Sequence, residues 1–328
     1  MSLQQIRRRE VIAAIAGAAI WPIAAQAQGQ KDKVYRVGIL GLLKRPSEQV
    51  FRDAMRDLGY VEGKNVLYDV RYAEGNADQL PSLAAQLVRL NVDVMVTAGG
   101  PAAEAARQAT TSVPIVLWGA GDPIGTGLIT NVSHPGGNLT GITELSTELT
   151  SKRLQLFREA VPGLHRIAVL WNIGDRSMTL RFQEVETAAP RLRLSVMPLP
   201  IRKLDDFDVA FDTMRRDRPD GILVVTDSLT RLKEGSLFEF ARGQRLPTMF
   251  EFPSSAEDGG MIAYGPSIAE MAPRAAAFVV KILKGTKPGD LPLETPVHWY
   301  LAVNLKTAKA IGLEIPTSIL LRADEVIE

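Results

Sequence analysis

Val92-Asp93-Val94-Met95-Val96-Thr97-Ala98-Gly99-Gly100-Pro101-Ala102-Ala103-Glu104-Ala105-Ala106-Arg107-Gln108-Ala109 is the stretch on which the fold reading rests. Its opening apolar run, rich in valine, predicts a buried strand over residues 92–97. Two glycines follow, and the alanine-rich segment after them predicts a helix over 102–109. A second apolar run at 115–119 then predicts the next strand. Strand, glycine turn, helix and strand in that order describe one unit of a parallel sheet.

The same unit repeats on either side. Upstream, strands are expected over 35–40 and 65–72, with helices over 47–58 and 77–90, the latter carrying Pro81 in its first turn, where a missing amide costs little. Downstream, the turn-rich His134-Pro135-Gly136-Gly137-Asn138 leads into a short strand at 139–144, after which the pattern restarts. Helices are then expected over 147–160, 178–192, 205–216 and 236–244, and strands over 166–171, 194–199, 221–226, 248–252 and 261–264. A long amphipathic helix at 268–283 contains Pro273, placed near its first turn or at a kink. The reading is α/β, two doubly wound parallel-sheet lobes of similar plan, without internal sequence repetition.

The N-terminus has a different character. Arg7-Arg8-Arg9-Glu10-Val11-Ile12 heads an apolar run to Ala25, and Ala25-Gln26-Ala27 precedes Gln28. A basic head, apolar middle and small-residue exit make an export signal over 1–27, removed near Gln28. Its arginine pair resembles the twin-arginine signal for folded cargo, although Val11 stands where an aromatic is usual. The apolar run, Val11 to Ala25, is shorter than the roughly 20 residues that span a bilayer, so no stable anchor is expected. The expected location is the bacterial periplasm.

Composition removes several function classes. About 300 residues remain after the signal, more than one core usually serves, hence two lobes. Lys and Arg number 38 against 37 Asp and Glu, so no field suited to nucleic acid exists. The absence of cysteine excludes disulfides, thiol nucleophiles, zinc-thiolate centres and a lipid-carrying cysteine. His134, His165 and His298 are isolated, with no i, i+4 metal spacing. No Gly-x-Ser-x-Gly elbow, phosphate-binding P-loop or complete dinucleotide fingerprint occurs, and Gly125-Thr126-Gly127 is followed by Thr130 at the third glycine position. No enzyme activity, cofactor or metal is therefore expected.

Across nearly the whole mature chain, ordered segments resemble the solute-binding proteins of ABC importers. They include Gly59-Tyr60-Val61-Glu62-Gly63-Lys64-Asn65-Val66, Tyr72-Ala73-Glu74-Gly75, Gly99-Gly100-Pro101-Ala102-Ala103 and Gly121-Asp122-Pro123-Ile124-Gly125-Thr126-Gly127-Leu128. Further on stand Pro135-Gly136-Gly137-Asn138-Leu139-Thr140-Gly141, Tyr264-Gly265-Pro266-Ser267, Asn304-Leu305-Lys306-Thr307-Ala308-Lys309-Ala310 and Arg322-Ala323-Asp324-Glu325-Val326-Ile327. The family resembled is related to tryptophan-binding lipoproteins and has the type I periplasmic-binding-protein fold. The resemblance implies a monomeric receptor that holds one small solute, such as an amino acid, between two lobes and delivers it to an ABC permease with its ATPase subunits. It also implies three chain crossings, near 139–146, 261–267 and 287–298. The first lobe would then comprise 34–140 with about 267–296, and the second 145–262 with about 297–328.

In open parallel sheets, ligands lie beyond the carboxyl ends of the strands. Candidate binding residues therefore follow strands. Gly99, Gly100, Pro101 and Ala102 open a helix whose free amides suit a carboxylate, or they merely make the turn. Leu42, with Leu43, is placed to cover an apolar part of a solute. Gly121, Asp122 and Pro123 follow the fourth strand, where Asp122 either presents a carboxylate or caps the next turn. Thr143 lies on the first crossing and Tyr264 on the second, and Asn172, Asp227 and Glu251 follow strands of the second lobe. Two other readings stay open: a sensory subunit for a membrane kinase, and an exported α/β enzyme.

Overall fold

A computed structural model describes residues 33–45, 47–144 and 147–328. The expected export segment, 1–27, and its cleavage near Gln28 lie outside these residues. In chain order the elements of the first half are β1 (Tyr35–Gly41), α1 (Glu48–Asp57), β2 (Val66–Tyr72), α2 (Leu80–Arg89), β3 (Val94–Ala98), α3 (Gly100–Ala109), β4 (Ile115–Ala120) and β5 (Leu139–Thr143). These strands form one sheet in the order β2-β1-β3-β4-β5, parallel throughout.

The second half contributes α4 (Thr150–Ala160), β6 (Arg166–Asn172), α5 (Arg176–Ala188), β7 (Ser195–Ile201), α6 (Asp206–Asp217), β8 (Gly221–Val224), α7 (Ser228–Leu232), α8 (Glu234–Gln244), β9 (Thr248–Phe250), α9 (Pro253–Glu257) and β10 (Ile262–Gly265). The chain closes with α10 (Ile268–Leu283), β11 (Tyr300–Asn304), α11 (Leu305–Ala310), α12 (Thr317–Leu320) and β12 (Glu325–Ile327). The second sheet has the order β12-β11-β10-β9-β8-β6-β7, and only β10 and β11 pair antiparallel. The lobes are thus less alike than the sequence pattern predicts: five strands face seven, and the extra strands come from the C-terminal segment beyond residue 290.

Local chemistry accounts for the elements. β3 and β4 are buried at every position, as strands covered on both faces must be, and hence read as continuous apolar runs. β7 carries Pro198 and Pro200 and pairs only with β6, an edge position where a missing donor is tolerated. α5 begins at Arg176, ahead of the expected 178, because the Asp175 side chain accepts from the Ser177 amide. That helix ends at Ala188 and tightens into a 3₁₀ turn over Ala189–Leu192, around Pro190. Pro81 stands at the start of α2, and Pro273 falls within α10, in its second turn.

The polypeptide passes between the sheets three times. It leaves the first after β5 to form α4, and returns after β10, when α10 packs against α1 and β4. There Met271, Ala275, Phe278 and Val279 share a core with Phe51, Met55 and Trp118, and the Phe51 ring stacks on Trp118 at 5.4 Å between centroids. The third passage begins beside β5, where the Glu294 amide donates to Gly141 and the Thr143 amide donates to Glu294, and ends in β11.

Candidate functional site: a cleft between two sheets

The carboxyl ends of both sheets meet around a cavity of about 470 Å³. From the first lobe come Leu42, Leu43, Arg45 and Ser47 after β1, Gly99 to Ala102 at the start of α3, Gly119 and Gly121 around the end of β4, and Glu144 after β5. From the second come Asp175 and Met178 around the start of α5, Thr226, Asp227, Ser228 and Arg231 after β8, and Phe252 and Ser254 after β9. A second hollow, about 720 Å³, lies along α1 and is lined by Glu48, Arg52, Asp53, Arg56 and Glu62. Its charges are largely paired, Arg52 with Glu48 and Glu62 and Arg56 with Asp53, so the inter-sheet cavity is the candidate site.

Of the residues singled out in the sequence, Leu42, Gly99, Gly100, Pro101, Ala102, Gly121 and Asp227 line this cavity. Asp122, Pro123, Thr143, Asn172, Glu251 and Tyr264 stand behind or beside it. The Asp122 carboxylate accepts from the Gly125 amide at 2.8 Å. Thr143 is fully buried, and its hydroxyl donates to the Ala120 carbonyl. Asn172 donates to Asp227 at 2.7 Å and so orients that carboxylate from beneath. Tyr264 offers its carbonyl to Arg153 Nε, while its ring packs on the second core.

Glu251 belongs to a buried ion network under the cleft. Its Oε1 accepts from Arg153 Nη1 at 3.0 Å, and its Oε2 from Arg181 Nη1 at 2.5 Å and from the Thr226 amide at 3.2 Å. Arg181 Nη2 continues to Glu144 Oε2 at 2.9 Å, which ties α5 to the end of the first crossing. All four side chains are buried. Burial opposes the charge on Arg181, but Glu251 and Glu144 outweigh it and raise its pKa. At Arg153 burial prevails and the pKa falls. The network closes onto the first lobe at Gly121, where a Cβ would stand 2.3 Å from Arg181 Nη2.

Charges of both signs line the cavity from each lobe, with Glu144 beside Arg45 on the first and Arg231 beside Asp175 and Asp227 on the second. Lobe one contributes Arg45, whose pKa is lowered mainly by burial and whose guanidinium lies 5.5 Å from the Trp118 ring centroid. Lobe two contributes two carboxylates. Asp175, the cap of α5, is pushed up to about 6, first by burial and then by the nearby Asp227 charge. Asp227 is raised by burial, against hydrogen bonds from Thr230 and Asn172. The sheets approach closely here: a Cβ on Gly100 would lie 3.4 Å from Ser177 Oγ and 3.5 Å from an Asp175 oxygen. Sequence reasoning missed Arg45, Ser47, Glu144, Asp175, Met178 and Arg231. The rule that found Leu42 reaches Arg45 and Ser47 in the same loop, whereas only the fold brings Arg231 to the cleft.

Among the described residues, no group of three or more His, Cys, Asp or Glu side chains could hold a metal ion, and no helix is long and apolar enough to cross a membrane.

Two α/β lobes, crossed three times by the chain and enclosing a solute-sized cavity at their strand ends, define a bilobal solute receptor of the type I periplasmic-binding-protein fold. The chain belongs to the ABC transporter substrate binding protein family, whose profile matches residues 38–327. It is 24% identical over 286 residues to a tyrosine-binding protein of Clostridioides difficile (strain R20291), covering 86% of this chain and 82% of that protein. Among solved structures it resembles a conserved domain protein from Vibrio cholerae O1 biovar El Tor, with 26% identity, a TM-score of 0.84, and coverage of 90% of this chain and 100% of that one. It also resembles an ABC domain from Streptococcus pneumoniae in complex with L-Trp, with 23% identity, a TM-score of 0.82, and coverage again of 90% and 100%. The family binds solutes and is not one of enzymes.

Proposed function

We propose that this chain is a periplasmic receptor that captures one amino acid or other small carboxylate by closing its two lobes, then presents the closed form to an ABC permease and its ATPase subunits. The observation that carries the reading is the cavity, because its walls come from the strand ends of both sheets. A solute there touches both lobes only when they are together, so its binding energy shifts the open-closed equilibrium. The names of the similar tyrosine-binding and L-Trp-bound proteins support amino acids. The opposed chemistry of the walls supports them too: Arg45 and the start of α3 suit a carboxylate, and Asp175 and Asp227 suit an ammonium group.

The receptor acts as a monomer after export through its N-terminal signal. Its first lobe comprises 34–140 with about 267–296, its second 145–262 with about 297–328, and its hinges the three crossings near 139–146, 261–267 and 287–298. The packing of α10 on α1 supports this division. Thermal-shift screening against amino acids and small carboxylates tests it, since a ligand that binds only the folded state raises its melting point. Stabilisation by an amino acid, with a contraction in small-angle scattering, is the expected result; turnover of the added compound would overturn it.

A further inference from the structure

We infer that Asp175 and Asp227, side by side on the cleft wall of the second lobe, share one proton while the cleft is empty and give it up for the ammonium group of the solute. The receptor then loads in neutral surroundings and unloads as they acidify. This rests on the receptor reading above and adds to it a regulation by protons.

One residue places both carboxylates. Asp175 and Asp227 line the cavity, and Asn172, at the end of β6, joins them. Its carbonyl accepts from the Asp175 amide at 3.2 Å, and its side-chain amide donates to Asp227 Oδ2 at 2.7 Å. Asp175 is 5% exposed. Among the described residues neither carboxylate is in an ion pair, and the guanidinium groups nearby are engaged elsewhere, Arg181 with Glu144 and Glu251, Arg231 with Glu234 and Asp258. Two neighbouring carboxylates taken out of water without a cation do not both stay ionised. They keep a proton, or they take a cation.

The groups around the pair decide where the proton rests. Burial and then the Asp227 charge push Asp175 up to about 6, against the Ser177 and Met178 amides and the Arg181 charge. Asp227 is raised by burial, but hydrogen bonds from Thr230 and Asn172 oppose the rise, so Asp175 is the carrier. The other charged groups supply no counter-ion. On the first lobe Arg45 stands with Glu144, whose charge favours its own, and Lys44 is exposed. On the second, Arg176 acts on Glu104 of α3 across the cleft. His134, His165 and His298 are exposed and outside the cavity. A proton leaving the cleft near pH 6 therefore comes from the pair.

The exchange balances. An amino acid arrives as a zwitterion, its ammonium group keeps its own protons and donates to the ionised pair, and the displaced proton passes to the buffer. The free receptor thus carries one proton more than the complex, so acid favours the empty form. Neither end group of an amino acid titrates between about pH 5 and about pH 7, so the dependence belongs to the protein. Affinity should fall about tenfold from about pH 7 to about pH 5, with about one proton released per solute at the lower value and almost none at the higher.

Titration calorimetry with L-tyrosine, L-tryptophan and L-leucine, at about pH 5 and about pH 7 and in buffers of different ionisation enthalpy, counts the protons. The desamino analogues of these solutes keep the carboxylate and lack the ammonium group, so they should displace no proton. Asp175→Asn should bind without proton release and lose the weakening in acid, with its melt as the folding control. Infrared spectra of the wild type give the same reading without a variant: the protonated-carboxyl band should fade as amino acid is added at about pH 5. An amino acid that binds without releasing a proton at about pH 5, or a desamino analogue that releases one, overturns the exchange and leaves the receptor reading standing. Undiminished release in a folded Asp175→Asn overturns the assignment to the pair, and binding by none of the amino acids at either pH overturns both readings.

Discussion

Replacing Glu251 by Gln preserves the volume of the side chain and removes its charge, leaving Glu144 as the remaining carboxylate of this ion network among the described residues. Arg181 is fully buried and Arg153 is 2% exposed, so neither excess charge can reach water without moving a helix. Breaking a buried pair in this way costs about 3–5 kcal/mol, mostly as uncompensated charge. At roughly 2–4 °C per kcal/mol for a unit of this size, the melting point should fall by about 10 °C. Arg153 is the guanidinium whose burial outweighs its partners, so it should suffer most. Adding Arg153→Met to Glu251→Gln should therefore recover part of the loss, because Arg181 and Glu144 remain as a neutral pair. Calorimetric or circular-dichroism melts of the wild type, both single variants and the double variant form the required cycle. A Glu251→Gln shift below about 2 °C, or a double variant no more stable than Glu251→Gln alone, would refute the account.

Three further outcomes follow from the geometry. Asp175 holds its proton up to about pH 6, above the ordinary carboxylate range, so its stabilising contribution is complete only below the ordinary value of 3.8 and is lost as pH rises from there through 6. Asp175→Asn, which can still cap α5, should match the wild type near about pH 3 and exceed it at pH 8 by up to about 3 kcal/mol, read from denaturant melts across that range. Gly121→Ala would put a Cβ against Arg181 Nη2, which is committed to Glu144. It should cost about 1–3 kcal/mol and enlarge the radius of gyration of the ligand-bound protein in small-angle scattering. Asp122→Ala removes the acceptor for the Gly125 amide and should cost about 1 kcal/mol while leaving solute affinity within a few fold; a tenfold loss with the fold intact would put Asp122 in the site.

Much of the architecture is legible in the chain alone, because parallel strands covered on both faces must be short apolar runs, and Val94–Ala98 and Ile115–Ala120 are such runs. The turns after those strands point to the cleft for the same reason: ligands sit at strand ends, and Leu42, Gly99, Gly100 and Gly121 follow strands. The short helices Ser228–Leu232 and Pro253–Glu257 escaped notice, since five residues carry too little periodicity to register. The seven-stranded sheet escaped for a different reason, its added strands Tyr300–Asn304 and Glu325–Ile327 coming from a segment assigned to the second lobe by resemblance and not read for strands. What tertiary structure alone decides is which polar groups spend their charge on each other. Glu251 and Arg45 look equally available in a string of letters. Only the packing of α4 and α5 beneath the cleft gives Glu251 two arginines, and only the loop after β1 sets Arg45 Nη1 in the cavity wall with no hydrogen-bond partner among the described residues. Local sequence determines where a strand ends, but the distance between residues a hundred positions apart is set by the closing of the sheets.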